Sequence, residues 1–125
     1  MAETSYTVRA DVRKNRLYIT FVGFFSDDYM REACDRVIAE AGSLRPGFSI
    51  ITDISQCKPA TQRGAETIRR TQEHLAAHGV GRVVRVVAPD NVIIKFQFQR
   101  RGQGYYKADT ANSLAEAERM LDEKK

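Results

Sequence analysis

Apolar and polar positions along the chain follow two different periods, and the places where one period gives way to the other set the elements. Tyr6, Val8, Ala10 and Val12 alternate with Thr7, Arg9, Asp11 and Arg13, the period of two that a half-buried strand requires. Lys14-Asn15 follows as a tight polar turn, asparagine tolerating positive φ, and residues 17–22 resume in β-branched and aromatic side chains. These two runs predict an N-terminal antiparallel hairpin, which Gly23 ends.

The period then lengthens to that of a helix. Met30, Ala33, Cys34, Val37, Ile38 and Ala41 share one side, and Arg31, Glu32, Asp35, Arg36 and Glu40 the other. Ser26 is a good N-cap, Asp27 and Asp28 suit the positive end of the helix dipole, Phe25 and Met30 stand where a hydrophobic staple would form, and Gly42 marks the stop.

Residues 48–53 lack polar alternation, as a strand covered on both faces does, and run into Asp53-Ile54-Ser55. A second helix starts at the N-cap Thr61 and ends at Gly79, with Val80 placed against Leu75 as in a Schellman motif. Its inward stripe is narrow, comprising Gly64, Ala65, Ile68, Thr71, Leu75 and Ala76, while Glu66 and Arg70 pair on its outside. With the strand at 82–87 this makes a βαβ unit, for which a parallel pair with a right-handed crossover is the economical topology.

Beyond Pro89 the pattern supports two readings. Val92, Ile94, Phe96 and Phe98 alternate as a strand would, yet a helix with Val92, Ile93 and Phe96 inward and a second stripe of Ile94 and Phe98 fits as well. Residues 105–108 suit a short strand after Gly102 and Gly104. Ser113-Leu114-Ala115-Glu116 matches a capping box, opening a last helix with Leu114, Ala117, Met120 and Leu121 on one face. The expected fold class is α/β, in the order β-β-α-β-α-β-(α)-β-α, over a single domain spanning 1–125.

Composition narrows the function classes. With 125 residues, 42% hydrophobic and 29% charged, the chain has the makeup of an ordinary globular domain with a real core. The apolar runs are too short for membrane insertion, and the N-terminus shows no secretory signal, so a cytoplasmic location is expected. Cys34 and Cys57 lack metal or redox spacing and read as reduced thiols. A net charge of +4 favours anionic partners weakly.

No catalytic constellation stands out. His74 and His78 lie at i, i+4 but have no third ligand in reach, Cys57-Lys58 precedes a helix N-terminus without a neighbouring histidine, and Asp53 with Ser55 has neither base nor oxyanion motif. The arginines 63, 69 and 70 read as a solvated face shared with Glu66 and Glu73. Lys95, Arg100, Arg101, Tyr105 and Tyr106 interleave cations and aromatics in a way that could stack bases and neutralise phosphates, without an ordered RNA-binding signature.

The run Asp53-Ile54-Ser55, an early helical Gly64, His78-Gly79 and the valine-rich strand after it resemble the STAS domain of sulphate transporters and anti-sigma-factor antagonists, and more closely the small single-domain bacterial proteins called SpoIIAA-like or STAS-like. The resemblance covers nearly the whole chain in element order and implies a STAS/SpoIIAA-like fold, an N-terminal antiparallel hairpin plus parallel strands in a mixed sheet with helices packed on it, with residues 92–101 helical. The antagonists carry a phosphorylated serine in Asp-Ser-Ser-Gly-Leu-Gly. Here the corresponding run is Thr61-Gln62-Arg63-Gly64-Ala65-Glu66, with Arg63 at the serine's place, so the usual phosphorylatable motif is missing; Thr61 nearby reads either as a plain N-cap or as a substitute phosphate acceptor.

The resulting expectation is a non-enzymatic regulatory module without cofactor or metal, its partner a second protein or another copy of itself. The surface expected to bind that partner comprises Thr61, Arg63, Gly64, Ile94, Phe98 and Arg101. Two alternatives stand beside it: a module for a small apolar or nucleotide ligand, lined by Phe24, Phe25 and Phe96, and nucleic-acid binding through the basic aromatic stretch.

Overall fold

The computed structural model describes residues 3–88 and 108–123. In chain order these form β1 (Ser5–Asp11), β2 (Arg16–Gly23), α1 (Asp27–Ala41), β3 (Ser49–Cys57), α2 (Gln62–Ala77), β4 (Val83–Val86), β5 (Ala108–Ala111) and α3 (Leu114–Asp122). The class is α/β. The five strands lie in sequence order in one mixed sheet, β1 antiparallel to β2 and every later neighbour parallel.

Local chemistry makes the joints where expected. Asn15 takes φ +55 and donates its N–H to Val12 O at 3.3 Å, closing the hairpin. Ser26 Oγ accepts from Tyr29 N at 3.2 Å at the start of α1. At the end of α2, Gly79 with φ +97 lets Val80 N reach Leu75 O at 3.1 Å and its own N–H reach Ala76 O at 3.1 Å, the paired bonds of a Schellman motif.

The two faces of the sheet are covered differently. Leu17, Ile19, Phe21, Ile50, Ile54, Val83 and Val87 pack beneath α1 and α2 together with Phe25, Met30, Val37 and Phe48. Burying Phe25 and Phe48 completely contributes about 2 to 3 kcal/mol each. On the opposite face α3 sets Ala117 and Leu121 against Ile51, Val84, Val86 and Ala111. β3 and β4 are therefore enclosed on both sides, which is why their sequences lack alternation.

Several expectations require correction. Val12 belongs to the turn and is 51% exposed, because the strand pairing closes at Asp11 with Arg16. β3 continues to Cys57, following β2 across an irregularity opposite Thr20 to Val22, so Cys57 is a buried strand residue rather than a loop residue. Gln72 joins the inward stripe of α2 and Ala76 is only partly covered. The last described strand, Ala108–Ala111, runs past the expected end at Ala108, its register with β4 overriding weak strand propensity. Leu114 is 47% exposed, since the first turn of α3 projects beyond the apolar contact with the sheet. The capping box is displaced by one residue: Ser113 Oγ accepts from Glu116 N at 3.1 Å, but the Glu116 carboxylate takes the N–H of Asn112 at 2.8 Å. The expected helix at 92–101 and residues 105–107 lie outside the described residues.

Candidate partner-binding surface

Strands β2 and β3 run parallel, so their carboxyl ends emerge together, and α1 and α2 both begin there. Gly23 ends β2 with φ +86, a value that suits glycine, and a Cβ at this position would lie 2.8 Å from Thr4 Oγ1. Lys58 N donates to Gly23 O at 3.0 Å, and Thr4 Oγ1 donates to Phe24 O at 2.8 Å, tying the chain before β1 and the chain after β3 to this corner. Phe24 is left 48% exposed.

Thr61 links the two helices. Its Oγ1 accepts from Gly64 N at 2.9 Å as the N-cap of α2 and donates to Asp27 Oδ1 at 2.5 Å in the first turn of α1. Asp27 thus meets the positive end of its own helix while accepting from the other helix's cap. Gly64 is buried, and a Cβ there would be 3.2 Å from Thr61 Oγ1 and in ordinary contact with Met30 Cγ at 3.8 Å, so its missing side chain leaves room for the cap bond of Thr61. Arg63 is exposed and makes no ion pair among the described residues. Arg69 instead pairs with Glu66 and, at 3.8 Å, with Glu73, while Arg70 stands 3.9 Å from Glu66.

Of the residues expected to bind a partner, Thr61, Arg63 and Gly64 occupy this corner. Ile94, Phe98 and Arg101 lie outside the described residues, as do Phe96 and the basic aromatic stretch.

Other candidate chemistry resolves into local structure. Burial pushes the Cys57 thiol up to about 12, and its Sγ donates to Lys58 O at 3.4 Å, so the thiolate a nucleophile needs is suppressed. Burial likewise raises Cys34, to about 11, despite a hydrogen bond with Thr71. Asp53 Oδ1 accepts both Ser55 N at 3.1 Å and Ser55 Oγ at 2.7 Å, a local pair of bonds within β3. His78 lies with its ring centroid 5.6 Å from that of Phe48, while His74 is exposed. Among the described residues no three His, Cys, Asp or Glu side chains are grouped to hold a metal ion, and no helix is long and apolar enough to cross a membrane.

Sequence reasoning missed Phe24 as an exposed aromatic, having placed it inside a ligand cleft. It also passed over Arg85, which interrupts a valine run, shares the α2-facing side with Val83 and Val87, and lines a cavity of about 40 Å³ with Thr52 and Gln72. A lone arginine in such a run was the available signal. Comparison of the chain with protein-family models and with curated proteins found no match.

Proposed function

We propose that this chain is a non-enzymatic protein-interaction module of the STAS-like, SpoIIAA-like kind, and that its partner docks on the corner where α1 and α2 begin. The observation that carries this reading is the Thr61 to Asp27 hydrogen bond, which joins two helix starts into one fixed surface with Phe24 and Arg63 exposed on it. Aromatic and arginine side chains are both enriched in protein interfaces. The surrounding polar groups are engaged within the chain, so a partner gains chiefly by covering Phe24 and pairing Arg63.

Docking here is independent of a phosphate switch. The Thr61 hydroxyl serves Asp27 and Gly64 at once, and a phosphate on it would set a dianion against the Asp27 carboxylate. The test is affinity capture from a nuclease-treated lysate of the source organism, wild type beside Phe24→Asp and Arg63→Glu. The reading requires a protein that wild type retains and both folded variants lose; retention by both variants contradicts it.

A further inference from the structure

A cleft of about 410 Å³ lies at the other end of the sheet, where β3 and β4 start. Its walls are fixed. Asn15 spans from the hairpin turn to the 45–47 loop, its Nδ2 donating to Arg45 O at 3.2 Å and its Oδ1 accepting from Arg45 N at 2.8 Å, while its carbonyl accepts from Ser49 N at 3.1 Å. Gly47 takes φ +92 and has no atom within 4 Å of where a Cβ would stand, so the cleft is lined there by a residue whose backbone disfavours a side chain.

Three cations line it, and they are not equivalent. Arg16 is buried and bonded to Glu118 at 2.5 Å and Asp122 at 2.9 Å, so its charge is largely offset in place. Arg82 uses one N–H on Met120 O at 2.9 Å and one on Asp109 at 3.3 Å, leaving three of a guanidinium's five donors. Lys14 is exposed, and its ammonium makes no ion pair among the described residues. The nearby carboxylates Glu118, Asp122 and Asp109 are each bonded by an arginine, and Lys14, whose charge also acts on Asp122, is the exposed cation that makes no ion pair among the described residues. Leu121 supplies an apolar wall.

We infer that this cleft binds a small organic phosphate, with the phosphoryl group on Lys14 and the outer N–H groups of Arg82 and the uncharged body against Leu121. Its volume falls in the range of about 300 to 1,000 Å³ typical of small-ligand pockets, which favours a compact ligand over a polymer backbone. The inference is independent of the partner surface at the opposite end.

The test is titration of the full chain by calorimetry and amide NMR with adenosine 5′-monophosphate, ribose 5-phosphate, inorganic phosphate and adenosine. Saturable binding of at least one organic phosphate is expected, with amide shifts at Gly47 and Ser49 and with inorganic phosphate weaker. Adenosine should bind about tenfold or more weaker than its monophosphate, because the charge-assisted bonds are absent. Lys14→Glu, an exposed turn change that leaves Asn15 in place, should weaken binding about tenfold or more, while Lys14→Arg holds it within about threefold. The inference is overturned if none of the phosphates binds at about 10 mM, a bound ligand binds Lys14→Glu equally well, or adenosine matches its monophosphate. A single-stranded oligonucleotide binding far more tightly than every small phosphate would overturn the assignment to a compact ligand.

Discussion

The two ends of the parallel strands have been finished in opposite ways. At the carboxyl end polar groups are spent on one another: Thr61 on Asp27 and Gly64, Lys58 on Gly23, Thr4 on Phe24. What remains exposed there includes Phe24 and the side chains of Arg63 and Lys58, which suits a macromolecular surface. At the amino end a cleft opens beside Gly47, and a lysine without an ion-pair partner among the described residues stands at its rim. That combination suits a small anion. Where a fold satisfies its own polar groups, recognition falls to apolar contact; where it leaves a cation beside a void, recognition falls to charge.

Substitutions can break this contrast from either side. The largest effect is expected at the amino end, from Arg16→Ala, which leaves Glu118 and Asp122 without their buried counter-charge and loosens α3, still held by its apolar contacts and by Tyr18, on the sheet. Because both carboxylates are partly exposed, the loss should be about 2 to 3 kcal/mol, below that of a fully buried pair, and is read from denaturant midpoints. Faster hydrogen exchange in α3 than in α1 would show that the damage is local to that face. Gly81→Ala comes next. Its Cβ would lie 2.8 Å from Gly47 O and 3.3 Å from Phe48 O, both backbone atoms, so about 1 to 3 kcal/mol is expected in the same measurement.

At the carboxyl end the expected changes are smaller. Thr61→Ala removes a cap and should cost about 1 kcal/mol. Thr61→Ser, which can keep both bonds, should recover most of it, and equal losses in the two variants would show that the hydroxyl is not what stabilises the corner.

Acid sharpens the contrast further. The Asp122 carboxyl is held below its ordinary value of 3.8, chiefly by the hydrogen bond from Arg16, against the opposing effect of desolvation and with help from the charges of Arg16 and Lys14. A depressed carboxyl stabilises the fold fully above its unfolded value and loses that contribution as pH falls through the lower folded value. Exchange protection of α3 should therefore weaken below about pH 3.8, the onset set by the carboxyl's ordinary value and the completion by its depressed one. Asp122→Asn should flatten that dependence; an unchanged slope would remove Asp122 from the account.

How much of this could be read from the residues follows from distance along the chain. Ser26, Thr61 and Gly79 announce helix ends through bonds spanning a few residues, and the hairpin and the βαβ unit follow from short periodic runs. The Arg16 clamp has no such signal, because its partners lie 102 and 106 positions away. The cleft was equally hidden, since its walls come from the hairpin turn, two loops and the end of α3. Leu114 shows the converse failure. A helical period identifies the apolar side of a helix, but how far that helix overlaps the sheet is decided by tertiary packing alone.

The most direct test of the two-ended account is a paired capture and titration on wild type, Phe24→Asp and Lys14→Glu, each first checked for an unchanged unfolding midpoint. The account predicts that Phe24→Asp loses the protein partner and keeps the organic phosphate, while Lys14→Glu keeps the partner and loses the phosphate. Retention of the partner by Phe24→Asp, or its loss from Lys14→Glu, would contradict the assignment of protein recognition to the carboxyl end.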